Sequence, residues 1–134
     1  MNQSSSDSRH ASRAIVNPMD LTGRMVLVTG GSSGIGRGAA VRVSELGGRA
    51  VVVGRDRSRL DETLGALAGE GHTAEEFDLT QVEEIPDWLQ KVAARTGPLD
   101  GIVHSAGIAA MKPLRMLTAK AVRETMAINV DSLL

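Results

Sequence analysis

Residues 25–36 decide the fold: Met25-Val26-Leu27-Val28 is followed at once by Thr-Gly-Gly-Ser-Ser-Gly-Ile-Gly, which spans Thr29 to Gly36. The first four residues have the length and composition of a buried parallel strand. After the loop, apolar residues recur at helical spacing at Ile35, Ala39, Ala40, Val43 and Leu46, which predicts a helix that packs on this face. A strand, a glycine loop and a helix in this order predict a phosphate-binding turn.

The three spaced glycines of this loop have separate tasks in such a turn. Gly30 lets the chain leave the strand sharply, Gly34 lets the backbone approach a pyrophosphate, and Gly36 lets the helix pack against the sheet. The helix N-terminus adds free N–H groups and the positive end of the helix dipole. An ordinary glycine-rich turn without a ligand is the alternative, but the flanking strand and helix favour cofactor binding.

The composition excludes several classes of protein. A chain of 134 residues suits one domain, and a net charge of -1 does not indicate a nucleic-acid-binding or membrane-surface protein. The absence of cysteine excludes disulfides and cysteine-based metal sites and fits a reducing compartment. No apolar run approaches the roughly 18 residues of a membrane span, and the N-terminus lacks the apolar region of a secretory signal. We therefore expect a soluble, cytoplasmic protein.

The rest of the chain continues the alternation of strand and helix. Residues 1–16 are polar and aperiodic, which predicts a mobile tail before a domain over 17–134. Further strands are predicted at about 49–53, 73–77 and 99–104, after a first strand at about 24–29. The first helix is predicted at about 33–46. The second begins at a cap on Asp56 or Ser58 and ends at Gly69 and Gly71. A third helix begins at a capping box of Thr80 and Glu83, and a fourth at a cap on Thr118. Four strands alternating with four helices predict an α/β fold with a doubly wound, Rossmann-like parallel sheet.

With these segments placed, the chain resembles the short-chain dehydrogenase/reductase family from about Asp20 to its last residue. Thr29–Gly36 is similar to the glycine motif of that family, and Asp78-Leu79 stands where the family places an acidic–aliphatic pair against the adenine. His104-Ser105-Ala106-Gly107 resembles the Asn-Asn-Ala-Gly motif that supports the sheet and lines the nicotinamide–ribose side, with His104 and Ser105 replacing two asparagines. Ile128-Asn129-Val130 resembles the helix motif whose asparagine helps to hold the proton-relay lysine through water.

The resemblance implies a dinucleotide site with an auxiliary catalytic residue, Asn129. We interpret His104 as a strand-end histidine with satisfied hydrogen bonds rather than as a general base. The implied cofactor-binding residues are Thr29, Gly30, Ser32, Ser33, Gly34, Ile35, Gly36, Arg55, Asp78, Leu79, His104, Ser105, Ala106 and Gly107.

The residue that ends the second strand distinguishes NADP from NAD. An acid there bonds the ribose 2′-hydroxyl, whereas an arginine pairs with a 2′-phosphate. Alignment of the strand end places Arg55 at this position, and Arg57 and Arg59 add positive charge, so NADP is favoured. Ser32 or Ser33 could also donate to a phosphate oxygen. A shift of one residue would place Asp56 at the ribose and select NAD instead.

The catalytic groups of the resembled family are mostly absent. That family uses a tyrosine, a nearby lysine and a serine beyond the asparagine-bearing helix, but this chain contains no tyrosine and ends five residues after Asn129. We therefore expect a fold truncated after about four strands, with the fourth strand as a bare edge and Ile128, Val130, Leu133 and Leu134 without cover. Such a chain should be marginally stable and inactive by itself.

Three functions remain open at this stage. The first is the cofactor-binding half of an NADP-dependent oxidoreductase for a small carbonyl or alcohol substrate, which would form homo-oligomers in a full-length form. The second is a non-catalytic dinucleotide-binding or regulatory module. The third is one piece of a complex whose other half comes from another chain.

Overall fold

The computed structural model describes residues 17–109 and 111–134. The predicted mobile tail, residues 1–16, lies outside the described residues. Strands and helices alternate through the described part as predicted. The strands are β1 (Met25–Thr29), β2 (Arg49–Gly54), β3 (Thr73–Glu76) and β4 (Gly101–His104), and the helices are α1 (Gly34–Glu45), α2 (Arg57–Gly65), α3 (Ile85–Thr96) and α4 (Ala119–Asn129).

The strands form one parallel sheet in the order β3-β2-β1-β4. Leu27 of β1 is level with Val51 of β2 on one side and with Ile102 of β4 on the other. The chain therefore moves outward from β1 to β3 and then returns to place β4 on the free side of β1. This order confirms the doubly wound α/β fold, and its reversal between β1 and β4 opens a crevice at the carboxyl ends of these strands. Within the described sheet β4 is an edge strand, as predicted.

The sheet has an apolar core on each face because successive side chains of a strand point to opposite sides. Helices α1 and α2 cover one face and α3 covers the other. The first core contains Val26, Val28, Ala50 and Val52 with Ala40, Val43 and Leu60. The second contains Met25, Leu27, Val51, Val53 and Val92. Beside the second core, the rings of Phe77 and Trp88 stack with centroids 4.4 Å apart.

Two predictions about burial are wrong. Ile35 was placed on the packed face of α1, but this residue is 84% exposed because it lies beside an open cleft at the first turn of the helix. Ile128 was expected to lack cover, but it is only 8% exposed. Val130, Leu133 and Leu134 are exposed as expected.

Helix ends agree with the sequence in some places and differ in others. Asp56, rather than Ser58, caps α2 by accepting a hydrogen bond from the Arg59 N–H at 3.1 Å, and Thr118 caps α4. Gly47 ends α1 with a φ of 82°, as the predicted left-handed cap requires. Helix α2 ends at Gly65, before the predicted Gly69.

The predicted capping box of Thr80 and Glu83 does not form. The Thr80 N–H and hydroxyl both donate to Asp78 Oδ1, at 3.0 and 2.9 Å. This local turn competes with capping, and a short 3₁₀ turn over Val82–Glu84 leads into α3 instead. The carboxylate of Asp78 thus has a structural partner of its own.

Asp100 links the start of β4 to β1 and makes stability depend on pH. Its carboxylate accepts from the Met25 N–H at 2.8 Å and pairs with Arg24 at 2.9 Å. The Met25 hydrogen bond first, and then Arg24, hold the pKa of Asp100 below its usual value of 3.8. A lowered pKa in the folded state means that the stabilisation is present above 3.8 and is lost as the pH falls through the folded-state pKa.

We therefore expect Asp100→Asn to lower stability at neutral pH and to weaken its decline below about pH 4. Urea unfolding at a series of pH values measures both effects. Asp61→Asn, which removes an exposed ion pair with Arg57 on the surface of α2, is the control and should stay near wild type. Identical acid profiles for Asp100→Asn and wild type would contradict the prediction.

Candidate functional site

A cleft of about 410 Å³ opens at the crevice between β1 and β4. The loops that follow the strands line it, so residues far apart in sequence meet at one end of the sheet. The lining contains most of the predicted site: Gly30, Ser32, Ser33, Gly34, Ile35, Arg55, Asp78, Leu79, Ser105, Ala106 and Gly107. It also contains Gly54, Arg59, Phe77, Ile108 and Ile128. Thr29, Gly36, His104 and Asn129 are not among the lining residues.

The glycine loop is shaped by positive φ angles and by close backbone contacts. Gly30 has a φ of 66°, and a Cβ built there would lie 2.8 Å from the backbone N of Ala106. Gly34 has a φ of 52° and open space beside it, so the backbone is accessible from the cleft. A Cβ at Gly36 would overlap the carbonyl oxygen of Gly30. Gly36 is therefore required by the loop itself, rather than by packing on the sheet as predicted.

The N-terminus of α1 is suited to bind an anion. Among the described residues, the Ser33 side chain makes no capping hydrogen bond, and the first turn of the helix carries no acidic side chain. Ser33, Gly34 and Ile35 all line the cleft. The N–H groups of this turn and the positive end of the helix dipole are thus available to a phosphate group.

Thr29 organises the end of β4 from beneath the cleft. Its hydroxyl oxygen accepts hydrogen bonds from the N–H groups of Ser105 and Ala106, both at 3.1 Å, and lies 3.0 Å from Nδ1 of His104. Because both lone pairs of the oxygen are used, its proton is left to donate to Nδ1. In the neutral ring, Nδ1 is therefore the acceptor and Nε2 bears the hydrogen.

His104 lies on the far side of the β1 and β4 strand ends from the cleft. It lines a second, largely apolar cavity of about 350 Å³, together with Trp88 and Leu133 among others. Its Nε2 is buried without a hydrogen-bond partner among the described residues. The interpretation of a fully satisfied histidine is thus wrong for Nε2 and correct for Nδ1.

Asn129 holds the loop that follows β4. Its Oδ1 accepts from the Ile108 N–H at 2.8 Å, and its Nδ2 donates to the Ile108 carbonyl at 2.9 Å. Ile108 lines the cleft, so Asn129 supports the site through the backbone of this loop. The auxiliary catalytic role of Asn129 stays a prediction.

Charged groups lie at the β2 and β3 end of the cleft. Arg55 and Arg59 line it, whereas Asp56 caps α2 and also lies 3.4 Å from Nε of Arg59. The pKa of Asp78 is lowered, chiefly by the Thr80 backbone N–H and less by the Thr80 hydroxyl and by the positive charge of Arg55, while partial burial opposes these effects. Asp78 is therefore an anion near the arginines.

Some lining residues carried a sequence signal and others did not. Gly54 and Phe77 directly precede the predicted residues Arg55 and Asp78, so a wider window around each strand end would have included them. Ile128 comes from α4, more than twenty residues after the Ser105–Gly107 turn, and nothing local in the sequence places it in the cleft.

Metal and membrane functions receive no support from the described residues. Over 17–109 and 111–134, no group of three or more His, Asp or Glu side chains is placed to hold a metal ion. Among the helices described in the same ranges, none has the length and apolar character needed to cross a membrane.

A sequence profile described as short chain dehydrogenase matches residues 24–134, which include β1 to β4 and the whole cleft. The chain belongs to this family. It is 35% identical over 104 residues to a fatty acyl-CoA reductase of Mycobacterium tuberculosis. This alignment covers 76% of this chain and 35% of that protein. It is 32% identical over 114 residues to the gluconate 5-dehydrogenase of Gluconobacter oxydans. This alignment covers 84% of this chain and 44% of that protein.

A solved structure supports the same membership in the short chain dehydrogenases. A protein from Sinorhizobium meliloti, assigned as a short-chain alcohol dehydrogenase, superposes with a TM-score of 0.79 at 30% identity. The match covers 86% of this chain and 46% of that one. The chain thus spans less than half the length of each of these three relatives. Oxidoreductases that use a nicotinamide cofactor form the family.

Proposed function

We propose that this short chain dehydrogenase provides the cofactor-binding part of an NADP-dependent oxidoreductase acting on a small carbonyl or alcohol compound. One observation carries the choice of cofactor. Arg55 lines the same cleft as the glycine loop, whereas Asp56, the residue that would select NAD, caps α2. A guanidinium suits a 2′-phosphate because it offers several N–H donors and a permanent charge.

A bound dinucleotide would run along the cleft. The uncapped first turn of α1 and the open backbone at Gly34 would hold the pyrophosphate. Arg55 and Arg59 would hold the 2′-phosphate, and Asp78 with Leu79 would contact the adenine. The turn over Ser105–Gly107 would contact the nicotinamide ribose. When bound, the cofactor supplies a hydride at the nicotinamide C4, and this chain positions and shields it.

Asp56 gives little support to the NAD alternative. One of its carboxylate oxygens accepts from the Arg59 N–H at 3.1 Å, and the other lies 3.4 Å from Nε of the same residue. Both contacts would compete with a ribose hydroxyl. This engagement favours NADP as the cofactor of the cleft.

The second candidate is a non-catalytic dinucleotide-binding module. These 134 residues contain no tyrosine, and the family moves its proton through a tyrosine. We propose that these 134 residues alone bind the cofactor without turning over a substrate. Carbonyl reduction by the purified chain with NADPH at an ordinary rate would contradict this proposal.

Arg55→Asp tests the cofactor preference. We expect NADPH affinity to fall by roughly 10- to 100-fold, the value of one or two lost charge-assisted hydrogen bonds, and NADH affinity to change much less. Isothermal titration with both cofactors at fixed salt measures the two affinities. The salt must be fixed because exposed charges are screened.

Arg57→Asp is the matched control because it makes the same charge change two residues away. Arg57 pairs with Asp61 and donates to the Ala74 carbonyl, and it is not among the lining residues of the cleft. We expect this variant to lower NADPH affinity by no more than about threefold through the loss of long-range charge. Equal losses in the two variants would show that Arg55 is not the phosphate ligand.

A further inference from the structure

Thr63 connects α2 to the glycine loop from a position outside the cleft. It is fully buried, at 0% exposure, and is not among the lining residues. Its hydroxyl lies 2.9 Å from the carbonyl oxygen of Gly31 and 3.0 Å from that of Arg59, one turn earlier in α2. A side chain of α2 thus reaches the backbone of the loop that follows β1.

Arg37 of α1 holds this threonine in place. Its Nε donates to the Thr63 hydroxyl at 2.9 Å, and its Nη2 donates to the carbonyls of Ser32 at 2.9 Å and of Arg59 at 3.2 Å. The Arg59 carbonyl therefore has Arg37 as a donor and does not depend on the Thr63 hydroxyl. The Thr63 hydroxyl accepts from Arg37 and has its one proton available for Gly31.

These contacts orient the loop. The carbonyls of Gly31 and Ser32 bond to groups of α2 and α1. The first turn of α2, which carries Arg59, is held at a set distance from the loop by the same contacts. Two candidate anion sites are the uncapped first turn of α1 and the pair Arg55 and Arg59. The contacts of Thr63 and Arg37 thus hold the segments that carry both sites.

We propose that Thr63, held by Arg37, is a positioning residue that sets the spacing between the phosphate loop and the pair Arg55 and Arg59. This inference rests on the proposed NADP function. A 2′-phosphorylated dinucleotide must meet the loop and the arginines together, whereas NADH has no 2′-phosphate for the arginines to bind. Preorganised spacing therefore strengthens the binding of NADPH more than that of NADH.

Thr63→Val tests this role because it keeps the shape of the side chain and removes the hydroxyl. We expect NADPH affinity to fall about tenfold and NADH affinity to fall about threefold or less. Thr63→Ser, which keeps the hydroxyl, should retain the wild-type ratio of the two affinities. Titration of each variant with NADPH and with NADH gives these ratios.

Thr96→Val is the matched control. The Thr96 hydroxyl lies 3.0 Å from a carbonyl four residues earlier in its helix, as the Thr63 hydroxyl does, but Thr96 is on α3 and is not among the lining residues of the cleft. It should lower both affinities equally or not at all. Equal losses for NADPH and NADH in Thr63→Val, or a Thr63→Ser variant with the same altered ratio, would overturn the proposal.

The failure of the proposed function can be told apart from the failure of this inference. A wild-type chain without preference for NADPH would contradict the NADP proposal. The positioning role is then decided by hydrogen exchange of the Gly31 amide, which bonds to the Val53 carbonyl at 3.0 Å. Faster exchange in Thr63→Val than in Thr96→Val supports the role, and equal exchange overturns it. If Thr63→Val does not fold, Arg37→Lys replaces it in the titrations and in the exchange measurement. A larger loss for NADPH than for NADH, or faster exchange than in Thr96→Val, again supports the role, and equal values overturn it.

Discussion

Gly36→Ala is expected to abolish dinucleotide binding and to lower the free energy of unfolding by about 3 kcal/mol. A methyl group at this position would overlap the carbonyl oxygen and carbon of Gly30, which are backbone atoms. Gly30 has little room to yield because a Cβ built on it would already lie 2.8 Å from backbone atoms of Ser105 and Ala106. The loop must therefore move, and its N–H groups leave the cleft. Urea unfolding and titration with NADPH measure the two effects.

Gly38→Ala is the control for this prediction. Gly38 lies two residues further along α1, is exposed, and has no atom within 4 Å of a built Cβ. Alanine in an exposed helix position should increase stability by about 0.5–1 kcal/mol and leave binding unchanged. Similar stability and binding in the two variants would refute the proposed role of Gly36.

Thr29→Val is expected to lower the free energy of unfolding by about 2–5 kcal/mol, because it leaves several partly buried polar groups without partners. The two N–H groups of Ser105 and Ala106 lose their acceptor, and Nδ1 of His104 loses its donor. The turn over residues 105–107, which lines the cleft, should loosen as well. Denaturant unfolding gives the loss of stability, and hydrogen exchange of the Ser105 and Ala106 amides gives the loosening.

Thr29→Ser separates the hydroxyl from the methyl group. Serine keeps the donor and both acceptor positions, so it should retain most of the stability and the slow exchange at Ser105 and Ala106. If valine and serine destabilise the protein equally, the packing of the methyl group, and not the hydrogen bonds, holds this strand end.

Local patterns in the sequence predicted the elements well because they depend on short-range physics. The apolar run Met25–Val28 and the β-branched run Ala50–Val53 are buried on both faces of a parallel sheet, as such runs require. The glycine loop, the caps at Asp56 and Thr118 and the stop at Gly47 follow from backbone chemistry over a few residues. The motifs after each strand meet in one cleft because parallel strands end at the same edge.

Two predictions failed because the local sequence does not determine which hydrogen-bond partner a polar group takes. Thr80 has the residue type of a helix cap, but its hydroxyl bonds to Asp78 instead. His104 was expected to have its hydrogen bonds satisfied, yet only Nδ1 has a partner among the described residues. In both cases the sequence around the residue is the same whichever hydrogen-bond partner its side chain has. The packed structure alone decides between them.

The sequence by itself determined the alternation of strands and helices and the glycine-rich turn, which follow from the period of apolar residues and from glycines whose backbone needs are local. Its motifs also carried the resemblance to the family. Only the tertiary structure decided that Arg55 lines the cleft while Asp56 caps a helix, that Gly36 makes room for the Gly30 carbonyl, and that Thr63 reaches Gly31. These contacts join segments up to 32 positions apart, and their geometry depends on how α1 and α2 pack on the sheet.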